Sequence, residues 1–296
     1  MKNHLFHYLA FFLLIYLNTF PSASAIGEGA VSIPATNAFN IGKSHYQSKN
    51  FSDALPFMQR AAEAGHTEAM DYLGYMYKKG LGVPVNYNES LKWYHMAGKL
   101  GYSPAMVNVG NFYRDGLVVN QNYDEAVAWY RRGSEAGDPW AMGALGRMYE
   151  TGRGVSKDDV MAILWYRKGA EGGYPYAMAA LGRMYRDGRG TAKDPSKALY
   201  WLQKGAEGGD TRAMVTLGCM YRDGKETGKD YEKAFYWFQT GANEGNSRAM
   251  ACLGYMYEKG TGIQRDVGEA YQWYLKAAAH GDTWAEQHIK NVLKRP

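Results

Sequence analysis

Cysteine is scarce in this 296-residue chain: Cys219 and Cys252 are the only two. That number excludes a disulfide framework and any paired Cys-x-x-Cys metal or redox motif, and leaves one bridge as the most the chain could form. Histidine is sparse as well; beyond residue 25 there are only His45, His66, His95, His280 and His288, with no two at the spacing of metal ligands. Charge of one sign is missing too. Lys and Arg number 34 against 29 Asp and Glu, a formal +5 that is too mild to point to nucleic acid. Ser-x-x-Lys, Gly-x-Ser-x-Gly and His-Glu-x-x-His motifs are absent, so the familiar hydrolase nucleophiles and zinc-protease ligands have no place here. These absences imply neither a cofactor nor a metal.

The first 25 residues hold a single Lys, Arg, Asp or Glu, which is Lys2. An apolar stretch from Leu5 to Tyr16 and the small-x-small triplet Ala23-Ser24-Ala25 complete the pattern of a secretory signal peptide cleaved before Ile26. The apolar stretch is short for a bilayer span, which takes about 20 residues, and it contains His7. With Lys2 removed, 33 basic residues face 29 acidic ones, a formal +4. No later run is apolar enough to cross a membrane, so the expectation is a periplasmic or secreted chain with no span after cleavage.

What the sequence does have is a register. Gly65, Gly101, Gly137, Gly173, Gly209, Gly245 and Gly281 fall 36 residues apart without one insertion. A fixed period in this range marks a solenoid, whose units bury their apolar faces only against one another. Counting position 1 from His66, position 4 is Ala from Ala69 to Ala285 and position 9 is Gly from Gly74 to Gly254. Met at position 5, Leu or Val at 8, Gly at 9 and Tyr at 12 follow i, i+3, i+4, i+7 and predict one face of a first helix. Glycine inside a helix costs about 1 kcal/mol relative to Ala, so its recurrence at position 9 predicts a neighbouring helix too close for a Cβ.

A second stripe at positions 25, 28, 29 and 32, as in Ala126, Trp129, Tyr130 and Gly133, predicts the second helix of each pair. Trp93, Trp129, Trp165, Trp201, Trp237 and Trp273 all hold position 28, which suits a wedge between helices better than a ladder for ligands. Glycines at positions 15 and 36 fit helix C-termini. Loops such as Gly152-Arg153-Gly154 follow a helix, not a strand, and recur from unit to unit; they are turns and not phosphate cradles. The domain reading is a signal peptide over 1–25, a short linker over 26–35 and a solenoid over 36–296. Within the solenoid, 36–65 is an N-terminal tetratricopeptide-like cap, 66–281 are six repeats, and 282–296 are a capping helix with Ile289, Val292 and Leu293 turned inward.

The segment from Ala141 to Val155, with its Leu-Gly-Arg-Met-Tyr core and Gly-Arg-Gly-Val end, is followed by Ala162-Ile-Leu-Trp-Tyr-Arg-Lys-Gly-Ala170. This unit resembles the Sel1-like repeat, a relative of the tetratricopeptide repeat, and the resemblance covers residues 36–296. It implies an all-α fold, a right-handed α/α superhelical solenoid whose first helices line the concave side. It also implies a non-catalytic scaffold or adaptor for protein–protein interaction, with envelope assembly or host contact as the setting of similar secreted bacterial proteins. Cysteine-rich relatives described as β-lactamase-like or penicillin-binding supply the alternative, an envelope hydrolase. Those relatives carry two cysteines per repeat, whereas Cys219 and Cys252 stand on first helices of different repeats.

Positions 3, 6, 10 and 13 share a face of the first helix away from the apolar stripe. That face carries Trp140 and Tyr176 at position 3, Arg147 and Arg183 at position 10, and Arg114, Arg186 and Arg222 at position 13; Arg212 and Arg248 continue the row at position 3. Guanidinium groups hold carboxylates in a fork and aromatic rings give contact area at small entropic cost. Trp140, Arg147, Tyr176, Arg183, Arg186 and Arg222 are therefore the candidate partner-binding residues. The expected partner is a protein or peptide with an acidic segment, and an acidic glycan is a second possibility. The competing reading is a solvated face in which the arginines pair with Glu150, Asp187 and Asp223.

Overall fold

The computed structural model describes residues 33–292, with the side chains of 290–292 left aside; the signal-peptide reading lies outside the described residues. Fifteen α-helices and no strand occur among the described residues. They are α1 Ala35–Gln47, α2 Phe51–Glu63, α3 Thr67–Lys79, α4 Tyr87–Lys99, α5 Ser103–Asp115, α6 Tyr123–Glu135, α7 Pro139–Thr151, α8 Asp159–Glu171, α9 Pro175–Asp187, α10 Pro195–Glu207, α11 Thr211–Asp223, α12 Tyr231–Asn243, α13 Ser247–Lys259, α14 Val267–Ala279 and α15 Thr283–Val292. Odd-numbered helices are the first and even-numbered the second of each pair. Every helix packs on its sequence neighbours, and first helices of successive units also touch: α5 with α7, α7 with α9, α11 with α13. Second helices do not approach one another to that extent, so the first helices form the inner, concave layer.

Helix boundaries follow the residues that satisfy exposed backbone groups. Each second helix from α4 to α14 starts at an Asn or Asp whose carboxyl or carboxamide oxygen accepts from the backbone N–H groups of its first turn, as with Asn86, Asp158 and Asp194. Each first helix from α3 to α13 ends on a glycine in the left-handed region, Gly80 at φ +70° being the first of them. The loops that follow are turns that lie on the preceding unit. A Cβ at Gly190 would run into the Asp159 backbone, and one at Gly154 into that of Tyr123.

The position 9 glycines meet the residue at position 29, an aromatic ring in every repeat but that of Gly182, which meets Leu202. A Cβ at Gly74 would stand 2.7 Å from the Tyr94 ring, and one at Gly146 2.8 Å from that of Tyr166. Tyr94, Tyr130, Tyr166, Phe238 and Tyr274 are wholly buried in these slots. The absent methyl group thus lets the two helices of a pair close onto a ring, and the burial offsets the helix-propensity cost.

The inner face differs from the expected stripe in one respect. Position 11 is fully packed (Met76, Phe112, Met148, Met184, Met220, Met256), whereas at position 12 Tyr185 and Tyr221 are buried but Tyr77, Tyr113, Tyr149 and Tyr257 only half-buried. The tyrosines sit at a seam between units, where a hydroxyl can reach a polar partner. Arg131 donates to the Tyr149 hydroxyl at 3.3 Å and Arg167 to that of Tyr185 at 2.9 Å. The tryptophans of position 28 are packed between helices, most deeply Trp93 and Trp129. At the far end α15 closes the stack, and Ile289 packs on the core beside Ala277 and Ala285. Val292 and Leu293 lie outside the residues whose side chains are described.

Candidate functional site

Three aromatic residues of the concave wall form a ladder. Trp140, near the start of α7, stacks on Tyr174 with ring centroids 4.8 Å apart and 16° between planes. Tyr174 leans on Tyr176 at 5.7 Å, and the Arg212 guanidinium of α11 lies 5.2 Å from the Tyr176 centroid. Asp138 fixes the first rung: its carboxylate accepts from the Trp140 and Ala141 N–H groups at 2.8 and 2.9 Å. Despite this anchoring, Trp140 is 60% exposed. It forms a wall of a cavity of about 370 Å³ whose other lining residues are Pro104, Val107, Asn108, Asn111 and Asp138.

The guanidinium groups divide into two sets. Arg186 is forked onto Asp187 at 2.7 and 3.1 Å, and Arg222 holds Asp223 at 2.7 Å. These hydrogen bonds keep both carboxyls below the usual carboxylate range in spite of burial. Arg186 and Arg222 thus make the pairings with Asp187 and Asp223 that the solvated-face reading names. Arg147 and Arg183 enter no ion pair among the described residues. Glu150, the expected partner in that region, is taken by Arg189 at 2.7 Å and by the Tyr166 hydroxyl at 2.7 Å. Arg147 is exposed, and Arg183 has its Nη1 buried with no hydrogen-bond acceptor.

Arg222 also reaches a second cavity, of about 300 Å³, lined by Asp223, Arg248, Ala251, Cys252, Tyr255 and Trp284. The Arg248 guanidinium, 6.0 Å from the Trp284 ring centroid, has no carboxylate partner among the described residues. The six residues expected from sequence thus share the concave face without forming one constellation. Trp140 and Tyr176 belong to the ladder, Arg147 and Arg183 stand in the adjacent row without an ion pair though Asp115 and Asp187 feel their fields, and Arg186 and Arg222 are charge-paired towards the C-terminal units. Among the described residues no group of three or more His, Cys, Asp or Glu could hold a metal ion, and no helix is long and apolar enough to cross a membrane.

The model of the Sel1 repeat matches this chain over residues 39–66, 67–102, 103–138, 141–174, 175–210, 211–246 and 247–282. The chain is a Sel1 repeat protein. Its first helix pair, α1 and α2, matches as a repeat in its own right, with a shortened connection between the helices. Solved structures agree. A Sel1 repeat protein from Oxalobacter formigenes is 36% identical with a TM-score of 0.76, covering 81% of this chain and 99% of its own. A protective antigen present in uropathogenic Escherichia coli strains, itself of this repeat fold, is 32% identical with a TM-score of 0.69 over 88% of this chain. The chain spans 57% of the length of that antigen. An immunity protein from Pseudomonas aeruginosa, 16% identical with a TM-score of 0.52, shares the fold alone. No curated protein matches the chain.

Sequence reasoning on this Sel1 repeat protein missed Tyr174 and Gly143, and the signals for both were present. Position 1 is His66, Asp138, Asp210, Asn246 or Asp282 elsewhere, each capping its helix through a side chain, whereas Tyr102 and Tyr174 supply no such cap. A tyrosine that forgoes a cap worth about 1 kcal/mol marks a place where another demand dominates. Position 6 carries a side chain at Asp71, Val107, Ala179, Val215 and Ala251, and only Gly143 lacks one among these repeats.

Proposed function

We propose that this Sel1 repeat protein is a non-catalytic scaffold of the periplasm or cell exterior that holds an extended acidic segment of a partner protein in its concave groove. The Sel1 family is one of protein-interaction scaffolds. The observation that carries the finer reading is the ladder of Trp140, Tyr174, Tyr176 and Arg212, exposed at Trp140 and Arg212 and half-buried at the two tyrosines, beside two guanidiniums, Arg147 and Arg183, that form no ion pair. Rings set on a rigid helical wall give a peptide contact area at little entropic cost, and an unpaired guanidinium gains a bidentate bond without first breaking another. Arg186 and Arg222, already paired, contribute to the positive field more than to direct bonds. The signal-like first 25 residues support placement outside the cytoplasm, as does similarity to a protective antigen. Envelope assembly or host contact is the corresponding role.

The test reverses Arg147 and Arg183 to Glu in the whole chain and checks that helicity is unchanged. Binding of a labelled acidic peptide, such as an oligoglutamate carrying one tryptophan, is then compared with wild type. Loss of binding by tenfold or more is the expected result, and unchanged binding overturns the reading. Binding of acidic polysaccharide, with none of the peptide, would assign the same wall to a glycan instead.

A further inference from the structure

Cys219 of α11 and Cys252 of α13 stand at positions 10 and 7 of consecutive repeats. At the same two positions other junctions pair Arg147 with Ala180, Arg183 with Thr216 and Tyr255 with His288, so thiols meet at one junction of the array. The helices that carry them, α11 and α13, are in contact, and the two side chains belong to the same packed cluster. Both are free thiols here, Cys252 buried and Cys219 half-exposed. Each also borders open space. Cys252 lines the cavity with Arg222, Arg248 and Trp284, while Cys219 lines the adjoining one with Arg186, Asp187, Asp223, Lys225 and Glu226.

We propose that Cys219 and Cys252 are a thiol–disulfide pair that closes, by exchange with an external disulfide, into a covalent staple between the first helices of consecutive repeats. The surroundings divide the labour between the two sulfurs. The neighbouring Cys252 thiol and the field of Arg222 and Arg248 lower the pKa of the half-exposed Cys219, although burial and Asp223 oppose them. Arg186 of α9 faces it as well. Cys252 is held in the thiol form by the neighbouring Cys219 and by burial. Cys219 is therefore the nucleophile, because the thiolate and not the thiol attacks.

In the first step the Cys219 thiolate forms a bond to one sulfur of the oxidant disulfide, and the other sulfur departs as a thiolate. Cys252 then gives up its proton, attacks the Cys219 sulfur and expels the second half of the oxidant as a thiolate. The two cysteines are oxidised to one disulfide, and the oxidant is reduced to two thiols. This pair is independent of the groove reading above, since neither sulfur belongs to the ladder.

The test uses the whole chain and glutathione disulfide as oxidant at neutral pH, followed by denaturation, alkylation and mass measurement. Wild type is expected to take up no alkylating group, to yield a Cys219–Cys252 cross-linked peptide within the monomer, and to regain two reactive thiols on reduction. Cys252→Ser is expected to trap a glutathione adduct on Cys219, and Cys219→Ser to gain none at Cys252. A denaturant midpoint that rises on oxidation in wild type and not in Cys252→Ser would show that the staple ties folded repeats together. Two alkylated thiols after oxidation, a stable glutathione adduct on wild type, or bridging only between chains would each overturn the proposal.

Discussion

Tyr174 lies so close to Gly143 that a Cβ on the glycine would stand 2.5 Å from its ring, and the same ring stacks on Trp140. A residue with no side chain in one repeat thus sets the position of two aromatic rings that belong to two repeats. Gly143→Ala is expected to keep the helix, since Ala is the better helix former by about 1 kcal/mol, while pushing Tyr174 out of its stack. Near-ultraviolet circular dichroism and Trp140 fluorescence should change with far-ultraviolet ellipticity preserved. Preserved aromatic signals would show that the ring has room to give way.

The neighbouring Gly146 has the opposite prospect. Its Cβ would meet the Tyr166 ring at 2.8 Å, and that ring is fully buried with its hydroxyl bonded to Glu150 at 2.7 Å. Gly146→Ala should destabilise the chain by about 1–3 kcal/mol, the usual range for overpacking a core. Equilibrium denaturation checks this, and the loss should exceed that of Gly143→Ala.

Asp71 introduces a dependence on pH. Burial raises its pKa to about 6, against a hydrogen bond from the Asn108 carboxamide at 3.1 Å that favours the charged form and a further rise from Glu68. A carboxyl whose folded pKa exceeds its unfolded value of about 3.9 binds more protons when folded. Its ionisation therefore lowers stability as pH rises from about 4 to about 6, and the loss is complete above that window. Asp71→Asn should remove this component, seen as a smaller fall in denaturation midpoint between those pH values.

Glu258 works in the other direction. Burial acts to raise its pKa, but hydrogen bonds from Lys259, His288 and the Tyr274 hydroxyl together hold it at about 2. The stability it contributes is present above its unfolded value of about 4.3 and is lost as pH falls towards 2. Because His288 reaches it from α15 at 2.7 Å, Glu258→Gln should loosen the capping helix first. Amide exchange should then speed up in 283–289 with little change in α7 or α9.

The hydrolase alternative has a direct check. Purified chain with a chromogenic β-lactam is expected to give no turnover above background, and saturable hydrolysis abolished by a single substitution would reverse the non-catalytic reading.

The 36-residue register by itself determined the helix pairs, their terminal glycines and caps, and the small residues of the core. All of these answer to local backbone geometry or to a period that any unit repeats. That Trp140, Arg147, Tyr176, Arg183, Arg186 and Arg222 share one face of the first helices was legible for the same reason, since helical spacing assigns faces, whereas the concave side was implied only by the family resemblance. What spacing could not decide was which charges are already satisfied. Arg186 and Arg222 fold back on the next residue, Glu150 turns to Arg189 from the following loop, and Arg147 and Arg183 are left over. Nor could it bring Tyr174 onto Trp140, or Cys219 to Cys252. Those relationships join side chains of different repeats, and they depend on the rise and turn from one helix pair to the next, which only packing fixes.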